Sequence, residues 1–319
     1  MLDKNFSPPR HWAAINEFNF VAGLRLMFWI CRVFGRWPFR VVLYPVLAWY
    51  VLSKPLARRA SQDYLRRLRA CSAGAVPGRL GVLRHFAAFA ESMLDKMLLW
   101  GGLFKTSQVS FHGAEAVEET VSQKRGALLI CAHMGNLELC RVLSQRRSGV
   151  KLTLLVHTRH AQSFNRLLAR QNPDSQLNLM QVTELSPATA MLLAEKIAQG
   201  EFIVIAGDRI PVAPHPRVVL ADFLGAPAAF PVGPYVLASV LQCPVYLLFS
   251  LRMGAASEVH FELFRAAIRL PRQRRDAALT ALAGDYAARL EHYCRRAPLQ
   301  WFNFYDFWQI PRDTSNAPR

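Results

Sequence analysis

His133 and Glu138 stand five positions apart, and theirs are the residue types and spacing in this chain that most directly suggest chemistry. A carboxylate that holds one imidazole nitrogen leaves the other free to take a proton from a hydroxyl. On one continuous helix, positions i and i+5 point about 140° apart, so the two side chains meet only across a bend. The neighbouring residues supply that bend. Residues 127–132 form an apolar run that reads as a fully buried strand, Gly135 marks a turn, and residues 137–143 read as the opening of a helix with Asn136 as its N-cap. The ordinary reading of the same pair is a strand-end histidine satisfied in the core and a glutamate complementing a helix dipole.

A second candidate lies at Gly207-Asp208-Arg209, directly after the strand expected over residues 202–206. In an open parallel sheet, ligands gather at the carboxyl ends of strands. Arg209 there could place its guanidinium against a phosphate or carboxylate, with Asp208 holding the arginine or the loop. Judged alone, the tripeptide reads equally well as a polar surface turn. The third segment is residues 223–234. Pro231 and Pro234 bracket Val232-Gly233 and fix the approach to the next helix, and Gly233 would let a ligand or backbone come close. His157, His160, Glu184 and Glu195 read as structural or solvated residues, and no spacing suggests a metal site.

These residues need elements to position them. Candidate strands cover residues 127–132, 152–156, 179–182, 202–206, 218–221, 245–251 and 259–264. Candidate helices cover residues 137–145, 161–171, 187–199, 234–241 and 272–296. Short apolar strands alternating with helices indicate an α/β domain with a mostly parallel or mixed central sheet flanked by helices. The alternating run 259–264 reads as an edge strand. Ser186-Pro187 is a helix start, proline being favoured at the first helical position. This α/β domain is expected over residues 105–311, with a frayed tail at 312–319.

Residues 1–104 read differently, as a helical region at a membrane interface. The segment 18–52 is rich in aromatic and aliphatic residues, yet Arg25, Arg32, Arg36 and Arg40 interrupt it, and Trp29, Trp37 and Trp49 recur along it. Such helices are expected to lie on a membrane rather than cross it; the alternative is that they pack on the protein's own core. Residues 56–69 and 80–100 read as ordinary amphipathic helices. Residues 1–19 are polar and carry no secretory signal pattern. The 39 Lys+Arg against 22 Asp+Glu give a formal net charge of +17, which suits nucleic acid, an anionic membrane or an acidic carrier. No nucleic-acid-binding signature is present, and 52% hydrophobic content with 20 Phe and 7 Trp favours the membrane. The six cysteines form no CxxC or paired pattern and read as reduced thiols.

Taken in order, the three segments resemble the lysophospholipid acyltransferase superfamily, in the branch similar to the bacterial late acyltransferases of lipid A. His133-x4-Glu138 matches that family's HX4(D/E) signature, and Gly207-Asp208-Arg209 sits where relatives carry an acidic or polar strand-end motif. Residues 223–225 with Pro231-x-Gly233-Pro234 match their FxG and GP block, and residues 298–302 resemble their C-terminal Pro-x-Gln-aromatic segment. The arginine block of the glycerol-phosphate acyltransferases has no counterpart, since Thr158-Arg159-His160 occupies a similar place without matching. The resemblance spans residues 127–308. It implies transfer of a fatty acyl chain from a thioester, on acyl carrier protein or coenzyme A, to a hydroxyl or amine of a lipid or glycolipid. His133 would be the general base and Glu138 its orienting acid. Asp208, Arg209, Gly233 and Asn136 would contact substrate, and backbone N–H groups near Gly135 or Gly233 are candidate oxyanion donors. It implies no metal or organic cofactor, and a location on the cytoplasmic face of the bacterial inner membrane. The competing class is a non-enzymatic basic membrane scaffold; a serine hydrolase would show a nucleophile elbow that is missing here.

Overall fold

The computed structural model describes residues 29–72, 81–140, 142, 151–156, 177–181, 186–211 and 216–310. The helix expected over residues 161–171 lies outside them. Two compact units are present, Met1–Pro45 and Val46–Arg319. In the first, residues 29–34 are helical and α1 (Trp37–Ser53) begins. Trp29, Phe34, Trp37, Val41, Val42 and Tyr44 are all exposed there. Among the described residues, no helix is long and apolar enough to cross a membrane.

The second unit reaches back to Val46, so the amphipathic helices α2 (Pro55–Cys71) and α3 (Val82–Trp100) share it with the sheet. Seven strands form that sheet: β1 (Val109–His112), β2 (Leu128–Cys131), β3 (Leu152–Val156), β4 (Leu177–Gln181), β5 (Phe202–Ala206), β8 (Val245–Met253) and β9 (Ala256–Arg265). Their order is β1-β9-β8-β2-β5-β3-β4. Every pairing is parallel except β8–β9. The central strands β2 and β5 are apolar on both faces because both faces are covered. One core cluster gathers Ile130, Ile203, Ile205 and Phe249 with α7 (Arg275–Arg296) through Tyr286 and Leu290; the other gathers Leu129, Val204, Leu248 and Phe261. Helices α4 (Ala114–Ser122), α5 (Pro187–Ala198) and α6 (Gly233–Leu241) complete the unit.

One expectation needs correction. The strand read over residues 259–264 is antiparallel to its neighbour, as its alternation suggests, but it is not an edge. β1 pairs alongside it from Val109↔Ser257 to His112↔His260. The block 223–234, for which no strand is expected, also carries one: β6 (Val218–Phe223) and β7 (Ala226–Pro231) form a separate two-stranded hairpin. Its two-residue turn, Leu224-Gly225, has both φ angles positive, +50° and +74°, the geometry that matches strand twist in tight hairpins. A non-glycine residue is strained there; burial of the Leu224 side chain and an N–H donated to Glu291 at 2.8 Å hold it. Pro227 and Pro231 are tolerated because a two-stranded sheet has only edges.

Candidate active site

β2 ends at Cys131, and the chain turns sharply through His133, Met134 and Gly135. Gly135 has φ +57°, and a Cβ on it would collide with the Ser250 carbonyl oxygen, so only glycine fits. The turn is held from three directions. Gly135 donates its N–H to the Gln300 carbonyl at 2.9 Å, Ser92 of α3 donates its hydroxyl to the Gly135 carbonyl at 2.9 Å, and Phe302 donates its N–H to the His133 carbonyl at 2.7 Å. Asn136 then caps a 3-10 turn, Leu137–Leu139, by accepting the Glu138 N–H at 3.2 Å. The expected cap is therefore formed, although the element opens as a 3-10 turn rather than as α-helix.

The carboxylate on Nδ1 of His133 is Asp208. Its Oδ1 accepts the Nδ1–H at 2.7 Å, and its Oδ2 accepts the His133 backbone N–H at 2.8 Å. The parallel β2–β5 register explains the meeting. Cys131 and Ala206 are partners across the ladder, and His133 and Asp208 each stand two residues beyond. Oδ2 also accepts the Trp301 indole N–H at 2.9 Å and the Asn303 side-chain amide at 3.0 Å. Asp208 is fully buried. Burial alone would raise its carboxyl. The charge of His133, the bonds from the His133 ring and amide, and the Arg209 guanidinium outweigh that and hold the group below the usual carboxylate range. It is thus a fixed anion held by four hydrogen bonds. The His133 side chain is about one-third exposed (32%), which leaves Nε2 as the nitrogen for chemistry.

Glu138 is buried at the turn, with its Oε1 3.3 Å from Lys96 Nζ of α3; the structure does not bring it to Nδ1 of His133. Arg209 is spoken for on one side: its Nε donates to Asn303 Oδ1 at 2.8 Å and its Nη2 to the Phe302 carbonyl at 3.0 Å. Gly233 opens α6 with nothing near the position of a Cβ, so no backbone approach there demands glycine. Asn136 Nδ2, by contrast, is buried without a hydrogen-bond partner among the described residues, one step along the chain from the Gly135 turn. Buried unpaired donors are rare.

Sequence reasoning noted residues 298–302 only as part of the family resemblance and gave them no role; they begin the wall that completes the site. Residues 299–308 run past the ends of β2 and β5 and supply Trp301 and Asn303 to Asp208. Gln300 clamps β8, accepting the Arg252 N–H and donating to the Arg252 carbonyl, both at 2.7 Å. Trp301 is buried among Tyr64, Phe223 and Phe307. Its carbonyl accepts the Nε2–H of buried His85 at 2.9 Å, and His85 Nδ1 accepts the Ser61 hydroxyl at 2.9 Å. Burial pushes His85 down to about 4, against a small opposing effect of the Trp301 carbonyl, so it is neutral. Helices α2 and α3 thereby brace the segment that braces Asp208. The signal available in the sequence was the polar-aromatic string Gln300-Trp301-Phe302-Asn303.

The arrangement is a partly exposed histidine oriented through Nδ1 by a buried carboxylate, with no nucleophilic hydroxyl hydrogen-bonded to it among the described residues. That geometry suits proton removal from an incoming hydroxyl or amine. No curated protein matches the chain. The family model for bacterial lipid A biosynthesis acyltransferases matches residues 89–309, a span that begins within α3 and contains His133, Asp208 and the C-terminal wall. The chain belongs to that family of acyltransferases, which act on lipid acceptors.

Proposed function

We propose that this protein transfers a fatty acyl chain from an acyl thioester, on acyl carrier protein or coenzyme A, to a hydroxyl or amine of a glycolipid acceptor. His133 is the general base, and Asp208 holds its ring so that Nε2 carries the lone pair. The observation that carries the reading is the Nδ1 contact with Asp208 at 2.7 Å, with the carboxylate fully buried and the imidazole partly exposed. As the acceptor oxygen attacks the thioester carbonyl, Nε2 takes its proton. The tetrahedral intermediate then expels thiolate, which recovers that proton as it leaves. No acyl-enzyme forms, because the acceptor takes the place of a catalytic serine.

Two carboxylates serve the base in place of the one that the HX4E spacing suggests. Asp208 orients the ring. Glu138, buried in the same turn, pairs with Lys96 and ties the turn that carries His133 to α3. Asn136 Nδ2 is the best donor for the oxyanion, since its side-chain oxygen is committed to the Glu138 N–H while its amide N–H groups are not. Arg209 anchors an anionic group of the substrate through the part of its guanidinium that the C-terminal wall leaves uncovered.

The protein works at the cytoplasmic face of the inner membrane. Support comes from exposed Trp29, Trp37 and Val42 in the first unit and, in the second, from Trp49, Leu52 and Leu56, which are 67%, 73% and 78% exposed. Apolar side chains at that density interleaved with arginine suit an interface. The test uses purified full-length protein, acyl carrier protein loaded with labelled acyl chain, and a lipid A precursor in mixed micelles. Transfer should depend on His133, and His133→Ala should lose transfer while keeping the circular dichroism spectrum of a folded protein. Unchanged transfer by that variant would refute the mechanism.

A further inference from the structure

A cluster away from the acyl-transfer site has the makings of a metal centre. His112 ends β1, and its register partner across the parallel ladder is His260 of β9; Glu258 lies two residues before His260, opposite Ser110. Side chains alternate along a strand, so all three project from one face. The two imidazoles stack with centroids 4.6 Å apart and planes 11° apart. His260 Nε2 is 2.9 Å from Glu258 Oε2, and one ligand atom from each of the three residues lies within 4.8 Å of the others. His260 is buried, Glu258 is half-buried and His112 is exposed, so two donors are set and the third closes from solvent.

We propose that His112, Glu258 and His260 bind a divalent transition metal, with zinc the best match. Two imidazole nitrogens and one carboxylate oxygen form a donor set that zinc takes readily, with water in the fourth position. Tetrahedral zinc would bring the donors to about 3.3 Å from one another, a contraction that a rotamer change of exposed His112 can supply. Arg296 opposes binding, since its Nη2 donates to Glu258 Oε2 at 2.9 Å. Its side chain is 36% exposed and can turn to solvent, or stay on Oε2 as an outer partner while Oε1 takes the metal. On the other side, the Tyr293 ring packs 5.2 Å from His260 and limits its movement.

The role is structural. β1 is a four-residue edge strand, and a metal shared by His112 and the two β9 ligands would pin it to the sheet. β1 runs opposite to β2 and stands three places from it, so its carboxyl end points away from the sheet edge that carries His133. Zinc should therefore act on stability without entering acyl transfer.

The test titrates zinc into full-length protein stripped with a chelator, in competition with a chromophoric indicator. The parent should show a site that His112→Gln/His260→Gln lacks or binds at least about tenfold more weakly, the least that even outer partners of metal sites are worth. Zinc should raise the thermal midpoint of the parent and not that of the double variant. If the double variant does not fold, the single substitutions His112→Gln, at an exposed position, and Glu258→Gln serve instead and should each weaken binding. Equal stoichiometry and affinity in the parent and every folded variant, or no zinc bound by the parent, would overturn the proposal.

Discussion

Replacing Asp208 by asparagine changes no heavy-atom shape and should nevertheless abolish most of the activity. Oδ2 accepts three N–H groups, from the His133 backbone, the Trp301 indole and the Asn303 amide, whereas Oδ1 accepts only the His133 ring Nδ1–H. Asparagine has a single side-chain oxygen. Placing its NH2 where Oδ2 stands would set it against three donors at a fully buried position, so the oxygen must go there and the NH2 must face His133. Nδ1 then has to accept, its proton moves to Nε2, and the nitrogen that should remove the acceptor's proton no longer carries a lone pair. The corresponding change in a serine protease triad lowers kcat by about 10⁴, or about 5 kcal/mol of barrier, and a similar loss is expected here. Initial rates of acyl transfer at saturating donor would measure it, with circular dichroism to confirm folding. His133→Ala/Asp208→Asn should lose no more than His133→Ala alone, because the two residues act as a unit. Glu138→Gln should lower kcat less than Asp208→Asn does; equal losses would return the orienting role to Glu138. An Asp208→Asn enzyme within about tenfold of the parent would refute the tautomer argument.

Other consequences can be checked separately. An unfolded His85 takes up a proton below its ordinary value of 6.5 while the buried one resists until about 4, so stability should fall as pH drops through that window. The loss is about 3 kcal/mol at roughly 1.4 kcal/mol per pKa unit; urea melts from pH 7 to 4 should show this slope in the parent and its loss in His85→Gln. Asp208, held below its ordinary 3.8, contributes stability that is present above that pH and lost as pH falls further, so the stability gap between the parent and Asp208→Asn should close only below about pH 4. Gly135→Ala should cost at least about 1–2 kcal/mol from its left-handed backbone alone, with kcat falling further as the turn shifts to clear the Ser250 carbonyl, and an unchanged kcat would contradict the close approach. With a net charge of +17, transfer from acidic acyl carrier protein should slow with added salt more than transfer from coenzyme A, which paired rate measurements over a salt series would show.

The central sheet was legible because parallel strands covered on both faces must be apolar throughout. The runs ending at Cys131 and Ala206 are therefore visible to within about a residue. β1 was hidden because only four residues, Val109-Ser110-Phe111-His112, form it, and half of them are polar. β7 was hidden because Pro227 and Pro231 look like loop residues until the strand is known to belong to a two-stranded hairpin. Glu138 attracted the orienting role because sequence distance is the only distance a sequence displays, and Asp208 lies 75 positions from His133. Both were nevertheless recognisable as residues just beyond strand ends, and the missing step was register. Once β2 and β5 are neighbours with Cys131 opposite Ala206, the residue two beyond one strand must face the residue two beyond the other. A strand-end histidine and a strand-end aspartate at equal offsets therefore form a stronger signature than either tripeptide alone. Register still does not keep the aspartate ionised at a fully buried position. Trp301 and Asn303 donate to it from a segment that also carries Gln300 on β8 and a carbonyl on His85, so the base at one sheet edge depends on chain nearly 170 residues further on. Loosening that segment should impair catalysis without touching any residue that meets the substrate.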